Sequence, residues 1–246
     1  LHALACLYQP VTDSIRKNFK FPNFFIPTTL DLWNGSRFTI EYEIINGAAM
    51  VPEIKEYKKS RDRWSPRYQT RPRREVIYIG IDSCVPDMEI ESRTSRIPLI
   101  REAYNDVALA DKIKEKLSFI MHRNYADFIN YWNERKSYKG LMYGGVQYPS
   151  LYMGAGEQRI IKFLETIYTV PDYSLILIDE LDLTLHTEAL LRLMQVLNNE
   201  CQVKNIQIVF TSHREELLDC NFINIRHLVN DISGKTSICL ERTTPD

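Results

Sequence analysis

The chain has 246 residues, enough for one large domain or two small ones with a sizeable core. Hydrophobic residues make up 44% and charged residues 26%, and the net charge is −1, so no global charge directs the chain to nucleic acid or to a membrane surface. No apolar run approaches the ~18 residues of a membrane span, no signal peptide is evident, and the five cysteines are scattered without metal-ligand spacing, as befits reduced thiols of a cytoplasmic protein.

In chain order, Leu1 to Tyr8 lacks an initiator Met and reads as a helix already under way, with Leu1, Leu4, Ala5 and Tyr8 on one face. The closing residues, Glu241 to Asp246, carry no stop signal either, so both ends read as cuts in a longer chain. Pro10 to Pro27 is irregular and aromatic. From Thr28 to Ile45 apolar residues alternate on both sides of Asn34-Gly35, the strongest short hairpin signal. Residues 53–74 are strongly basic: Arg61, Arg63, Arg67, Arg71, Arg73 and Arg74 are joined by Lys55, Lys58 and Lys59, with Trp64 and Tyr68 interleaved. Such an insertion suits a nucleic-acid or protein partner, or else a solvated loop or hairpin. Glu75 to Ile81 is a strand of buried type, and Pro86 to Arg96 reads as a polar loop. These residues, 1–96, form a first lobe. From Ile97 to Lys136, Ile113, Leu117, Ile120, Tyr125, Phe128, Ile129 and Trp132 recur at three- and four-residue steps, which predicts two or three helices forming a small lobe over 97–140.

The last region, 141–246, carries three features in a fixed order. Gly154 and Gly156 precede a helical pattern (Ile160, Ile161, Phe163, Leu164, Ile167), and a glycine turn at a helix N-terminus leaves backbone N–H groups pointing at an anion. Leu175 to Ile178 is an unbroken apolar run that suits a strand buried on both faces, and it ends in Asp179-Glu180. A carboxylate pair at the C-terminal end of a parallel strand lies where open α/β sheets bind ligands. One carboxylate can hold hydrated Mg²⁺ and the next can orient or deprotonate a water. An amphipathic helix follows from Glu188 to Asn198, then the strand Asn205 to Ser212, which ends at His213 after Thr211-Ser212. A histidine there can contact a phosphate or the attacking water. Ile223 to His227 and Thr236 to Glu241 read as strands joined by a turn at Ser233 to Lys235.

On these residues the chain resembles the nucleotide-binding domain of ABC-type ATPases, in the branch that holds the SMC proteins, their DNA-repair relatives and OLD-like proteins. Met153 to Gln158 resembles the signature motif, Leu175 to Glu180 the Walker B motif, Leu181 to His186 the D-loop region and Phe210 to His213 the switch-histidine strand. The resemblance implies an α/β P-loop NTPase of ABC type, with a mixed first lobe, a parallel-sheet core and a small helical lobe. It implies ATP and Mg²⁺ as cofactors. Asp179 would hold the metal through water, Glu180 would be the general base, and His213 would sense the γ-phosphate. Gly154, Ala155, Gly156 and Glu157 would contact the nucleotide of a second protomer, making a homodimer or higher homo-oligomer.

Two departures qualify the match. Gly154 stands where many members carry a serine, and no Gly-x-x-x-x-Gly-Lys-Ser/Thr occurs in the chain. Gly234-Lys235-Thr236 has the right ending but lies after Walker B, and Leu1 to Ala5 reads like the helix that follows a P-loop. Gln69 is the candidate for the Q-loop glutamine. Roughly seventy residues between the first lobe and the signature cannot build a long coiled-coil arm. A compact anti-phage ATPase of OLD-like or PARIS type, controlling a separate nuclease or toxin, therefore fits better than a chromosome-organising one. A DNA-repair ATPase binding nucleic acid through Arg61 to Arg74 and a non-catalytic scaffold are the alternatives.

Overall fold

The fold is that of a computed structural model, which describes residues 1–11, 19–46, 49–92, 95–230 and 236–239. The first elements are α1 (His2–Ala5), α2 (Phe21–Phe24), β1 (Arg37–Asn46), β2 (Ala49–Lys59), β3 (Trp64–Ser65) and β4 (Val76–Ile79). Then come α3 (Asp87–Ile90), β5 (Ile100–Glu102), α4 (Val107–Met121), β6 (Tyr125–Trp132), β7 (Ser137–Tyr143) and β8 (Val146–Pro149). The last are α5 (Ala155–Thr169), β9 (Leu175–Ile178), α6 (Thr187–Lys204), β10 (Gln207–Phe210), β11 (His227–Asn230) and β12 (Thr236–Cys239). They fall into two compact units, the first being Leu1–Tyr78, Pro171–Ile178 and Asn205–Val209, and the second Ile79–Val170, Asp179–Lys204 and Phe210–Asp246.

In the first unit, β9 is the middle strand of a sheet ordered β10-β9-β4. Leu175 N donates to Glu75 O at 2.9 Å and Gln207 N to Ser174 O at 3.0 Å, so each neighbour starts level with β9. The strands run parallel, and a middle parallel strand must be apolar on both faces. All four β9 residues are accordingly buried. Burial of each contributes on the order of 2 kcal/mol. Leu175 and Leu177 join Ala5, Cys6, Leu7, Phe21, Tyr57 and Val76 in one core, with Phe38, Ile40 and Trp64 packed against it. Phe21 stacks on Trp64 with ring centroids 4.1 Å apart, and the Tyr57 hydroxyl donates to Leu7 O at 2.7 Å.

The second unit combines the helices α4, α5 and α6 with an antiparallel sheet ordered β5-β6-β7-β8. Helix α4 opens on Asp106, whose carboxylate accepts from Leu109 N at 3.0 Å, and it closes on His122 in the left-handed region. Helix α5 buries Ile160, Ile161, Phe163, Leu164 and Ile167, the face its sequence spacing predicts. Its carbonyl-rich end is capped by Lys204, whose ammonium donates to Ile167 O at 3.0 Å and Val170 O at 2.5 Å.

Four expectations are corrected at the level of elements. Asn34-Gly35 does turn the chain, yet among the described residues no strand precedes it: Leu30 is 97% exposed, and the long hairpin is instead β1 with β2, paired from Arg37↔Lys58 to Asn46↔Ala49. Gly35 N donates to Lys59 O at 2.8 Å, so the turn seats the base of that hairpin. The 97–140 region is not a set of helices. It holds one helix, α4, and the strands β5, β6 and much of the β7 arm. The register of β6 slips between Tyr125 and Asp127, leaving Ala126 as an extra residue. Such a bulge puts Tyr125 and Phe128 on one face, and so a strand takes on a three-residue spacing that imitates a helix. Thirdly, the opening helix is a single turn, and the segment Pro86 to Arg96 contains the short α3. The turn at 233–235 lies outside the described residues.

Candidate functional site

The carboxylate turn grows directly from the end of β9. Asp179 N donates to Ile79 O at 2.9 Å and Leu181 N to Thr211 O at 3.0 Å, which continues the parallel hydrogen bonding one step past the strand. Between them Glu180 takes φ +48°, a left-handed backbone that a non-glycine residue rarely adopts. Its N–H is turned onto the Thr211 hydroxyl at 2.8 Å, and that hydroxyl lies 2.9 Å from Asp179 Oδ1. The sharp turn presents the Glu180 carboxylate outward, with its side chain 31% exposed. His213 Nε2 stands 3.9 Å from Glu180 Oε1 on a side chain that is 84% exposed. That separation is longer than a hydrogen bond, and it brings the imidazole beside the carboxylate. Asp179, Glu180 and His213, expected from separate strands, are thus brought together.

Behind the turn lies a residue that the sequence reading left without a role. Arg159, on α5, is fully buried. One guanidinium nitrogen donates to Asp179 O at 2.9 Å and Glu180 O at 2.7 Å, and the other to Leu183 O at 3.3 Å and to the Cys84 thiol. Burial lowers the pKa of this arginine, countered chiefly by Cys84. No carboxylate within hydrogen-bonding distance neutralises it among these contacts; it acts as a fork that gathers three backbone carbonyls of one loop. The only sequence signal was its place one turn into the glycine-led helix.

The glycine turn is built differently from expectation. Gly154 N donates to Glu157 Oε2 at 3.3 Å. The other carboxylate oxygen of Glu157 accepts from Tyr125 Oη at 2.5 Å, Arg123 at 3.0 Å and Tyr148 Oη at 3.3 Å. Glu157 is buried in this network, where its carboxylate accepts hydrogen bonds from the protein and fixes the turn. Burial, the nearby Glu157 charge and its hydrogen bond push the Tyr148 phenol up to about 12. Gly156 is needed for close approach, because a Cβ there would lie 2.8 Å from Thr184 O in the loop after the carboxylates. A Cβ at Gly154 would meet nothing within 4 Å, so the missing serine is not a steric requirement. Ala155 and Gly156 are partly exposed at the start of α5, where first-turn N–H groups have no helical acceptor.

The loop after Glu180 is tied on its far side as well. Arg214 Nε lies 3.6 Å from Asp182 Oδ2, and the same guanidinium donates to Leu185 O at 3.4 Å. Among the described residues no group of three or more His, Cys, Asp or Glu is placed to hold a metal ion. No helix there is long and apolar enough to cross a membrane.

Part of the basic insertion, in the first unit, is bonded into the protein. Lys59 donates to Leu32 O, Lys55 to Thr70 O and Arg71 to Cys6 O, while Arg74 donates to Tyr173 O and to Gln207 Oε1, each at 3.0 Å. Trp64 is stacked on Phe21. Arg61, Arg63, Arg67 and Arg73 stay exposed, as does Gln69 in a 3₁₀ turn.

No curated protein matches the chain. Among solved structures, one from "Structural biochemistry of ATP-driven dimerization and DNA stimulated activation of SMC ATPases" is similar at 12% identity, covering 54% of this chain and 83% of that chain with a TM-score of 0.42. Residues 35–219 match the family described as "AAA domain, putative AbiEii toxin, Type IV TA system", which takes in β1 to β10 and with them the carboxylate turn, the glycine turn and His213. The α/β chain with its parallel β10-β9-β4 sheet belongs to that family of P-loop NTPase domains.

Proposed function

We propose that this chain binds and hydrolyses ATP, and that ATP-driven self-association through the glycine turn controls a partner effector in anti-phage defence. The observation that carries the reading is the Asp179-Glu180 turn at the end of the middle parallel strand, with His213 3.9 Å from Glu180. The family's association with a toxin–antitoxin system supports the defence setting.

The residues fit the cofactors that family membership implies. A site of hard oxygen donors with one or two carboxylates, completed by waters and phosphates, is how Mg²⁺ is commonly held, and Asp179 supplies such a donor. Mg²⁺ held there would neutralise charge on the nucleotide's phosphates. Glu180, partly exposed and held by its strained backbone, accepts the proton of the attacking water. His213, beside Glu180, would contact the transferred phosphoryl group. The first-turn N–H groups of Ala155 and Gly156 offer donors to a second protomer's nucleotide, with Glu157 holding the turn.

The test is Glu180→Gln in the full-length protein, which keeps shape and removes the base. Turnover of ATP is expected to fall by about 100-fold or more, while ATP-dependent association persists or strengthens. Parental turnover in that variant, measured as phosphate release alongside sedimentation, overturns the assignment.

A further inference from the structure

Thr211 touches three consecutive residues of the carboxylate turn. Its hydroxyl accepts from Glu180 N–H at 2.8 Å and lies 2.9 Å from Asp179 Oδ1, and its carbonyl accepts from Leu181 N–H at 3.0 Å. The chemistry fixes the direction of each bond. A backbone N–H can only donate, so a lone pair of the hydroxyl serves Glu180, and the hydroxyl's single proton goes to the Asp179 carboxylate. The residue between these two anchors is the one with φ +48°. A left-handed non-glycine backbone persists only where its surroundings over-determine it. Two residues further along, the same strand end carries His213.

We infer that Thr211 is a positioning residue for hydrolysis: its hydroxyl sets the orientation of the Asp179 carboxylate and pins the Glu180 backbone in the left-handed turn that aims its carboxylate. This rests on the reading of Asp179 and Glu180 as the hydrolytic pair. The inference assigns the role to the hydroxyl and not to the branched shape of the residue, and two substitutions separate those properties. Thr211→Val keeps the shape and removes both donor and acceptor; Thr211→Ser keeps the hydroxyl and removes the methyl group.

In the full-length protein, Thr211→Val is expected to lower kcat by about 10- to 100-fold with the KM for ATP within about threefold of the parent. Thr211→Ser is expected to stay within about threefold in both. Amide hydrogen exchange of the nucleotide-free protein supplies a readout apart from turnover: exchange at Glu180 should rise by about tenfold or more in Thr211→Val and stay parental in Thr211→Ser. Parental kcat and exchange in Thr211→Val, or a serine variant that falls as far as the valine variant, overturns the inference. Should Thr211→Val fail to fold, Thr211→Ala takes its place with the same expectations. A parent chain that hydrolyses no ATP overturns the reading of the carboxylate pair instead, and exchange at Glu180 still decides whether the hydroxyl holds the turn.

Discussion

A single buried arginine organises the candidate site more than any of the residues that would touch a ligand. Arg159 is the one side chain of α5 that bonds to the backbone of both carboxylate residues, and it does so from full burial. Removing it leaves the carbonyls of Asp179, Glu180 and Leu183 without these donors. Arg159→Met is therefore expected to lower stability by on the order of 3 kcal/mol, with Arg159→Lys recovering only part, as measured by urea unfolding. The carboxylates themselves were legible because an unbroken apolar run ending in Asp-Glu has the form of a buried strand that opens onto a polar site. Arg159 was not, since an arginine on a helix usually reads as a solvated charge. The partners of Glu157 were not legible for the opposite reason: its place in a glycine-led motif points outward to a ligand, while Arg123, Tyr125 and Tyr148 lie up to 34 residues away in sequence.

At the scale of elements, the sequence was clearest where periodicity and burial agree, as in α5, α6 and β9, and misleading where one residue breaks the period. The extra residue Ala126 lets Tyr125 and Phe128 share a face of β6, and both are buried. Tyr125 is also the shortest contact to Glu157, so the bulge serves the glycine turn. Deleting Ala126 would leave Tyr125 and Phe128 two residues apart, the spacing at which regular alternation keeps both on that face. The expected outcome is a strand that keeps both side chains buried, with stability changed by no more than about 1 kcal/mol, read from thermal melting. The Asn34-Gly35 hairpin failed on a similar point: the turn chemistry was right, but Leu30 and Leu32 find no partner strand and remain exposed. Turn residues announce a reversal of the chain, while strand pairing depends on what waits on the other side.

For the molecule as a whole, four groups in the two units share one response to alkali. Burial pushes Cys6, Tyr57 and Tyr148 up to about 12 and Cys201 up to about 11. Each folded group holds its proton more tightly than the unfolded chain does, so stability is complete below about pH 9 and falls as the pH climbs toward 12. Thermal melting from pH 8 to 11 should show that fall, and Cys6→Ala should make it shallower, since Cys6 is wholly buried. The whole-molecule assignment to an α/β nucleotide-binding fold was legible because it rested on the order of three motifs. The basic insertion was legible only as charge. Lys55, Lys59, Arg71 and Arg74 are occupied by carbonyls of the first unit, and which cations face a partner depends on contacts that composition does not encode.

The left-handed backbone at Glu180 has a consequence for how this chain can change over generations. Glycine is the residue that would rest there most comfortably, easing the turn by on the order of 1 kcal/mol, and it is also a residue with no carboxylate to offer a water. Selection for a sturdier fold and selection for turnover therefore pull in opposite directions on one codon. A lineage that no longer needs hydrolysis should drift toward glycine at this position, and glutamate at φ +48° is the residue that the proposed hydrolysis would keep there.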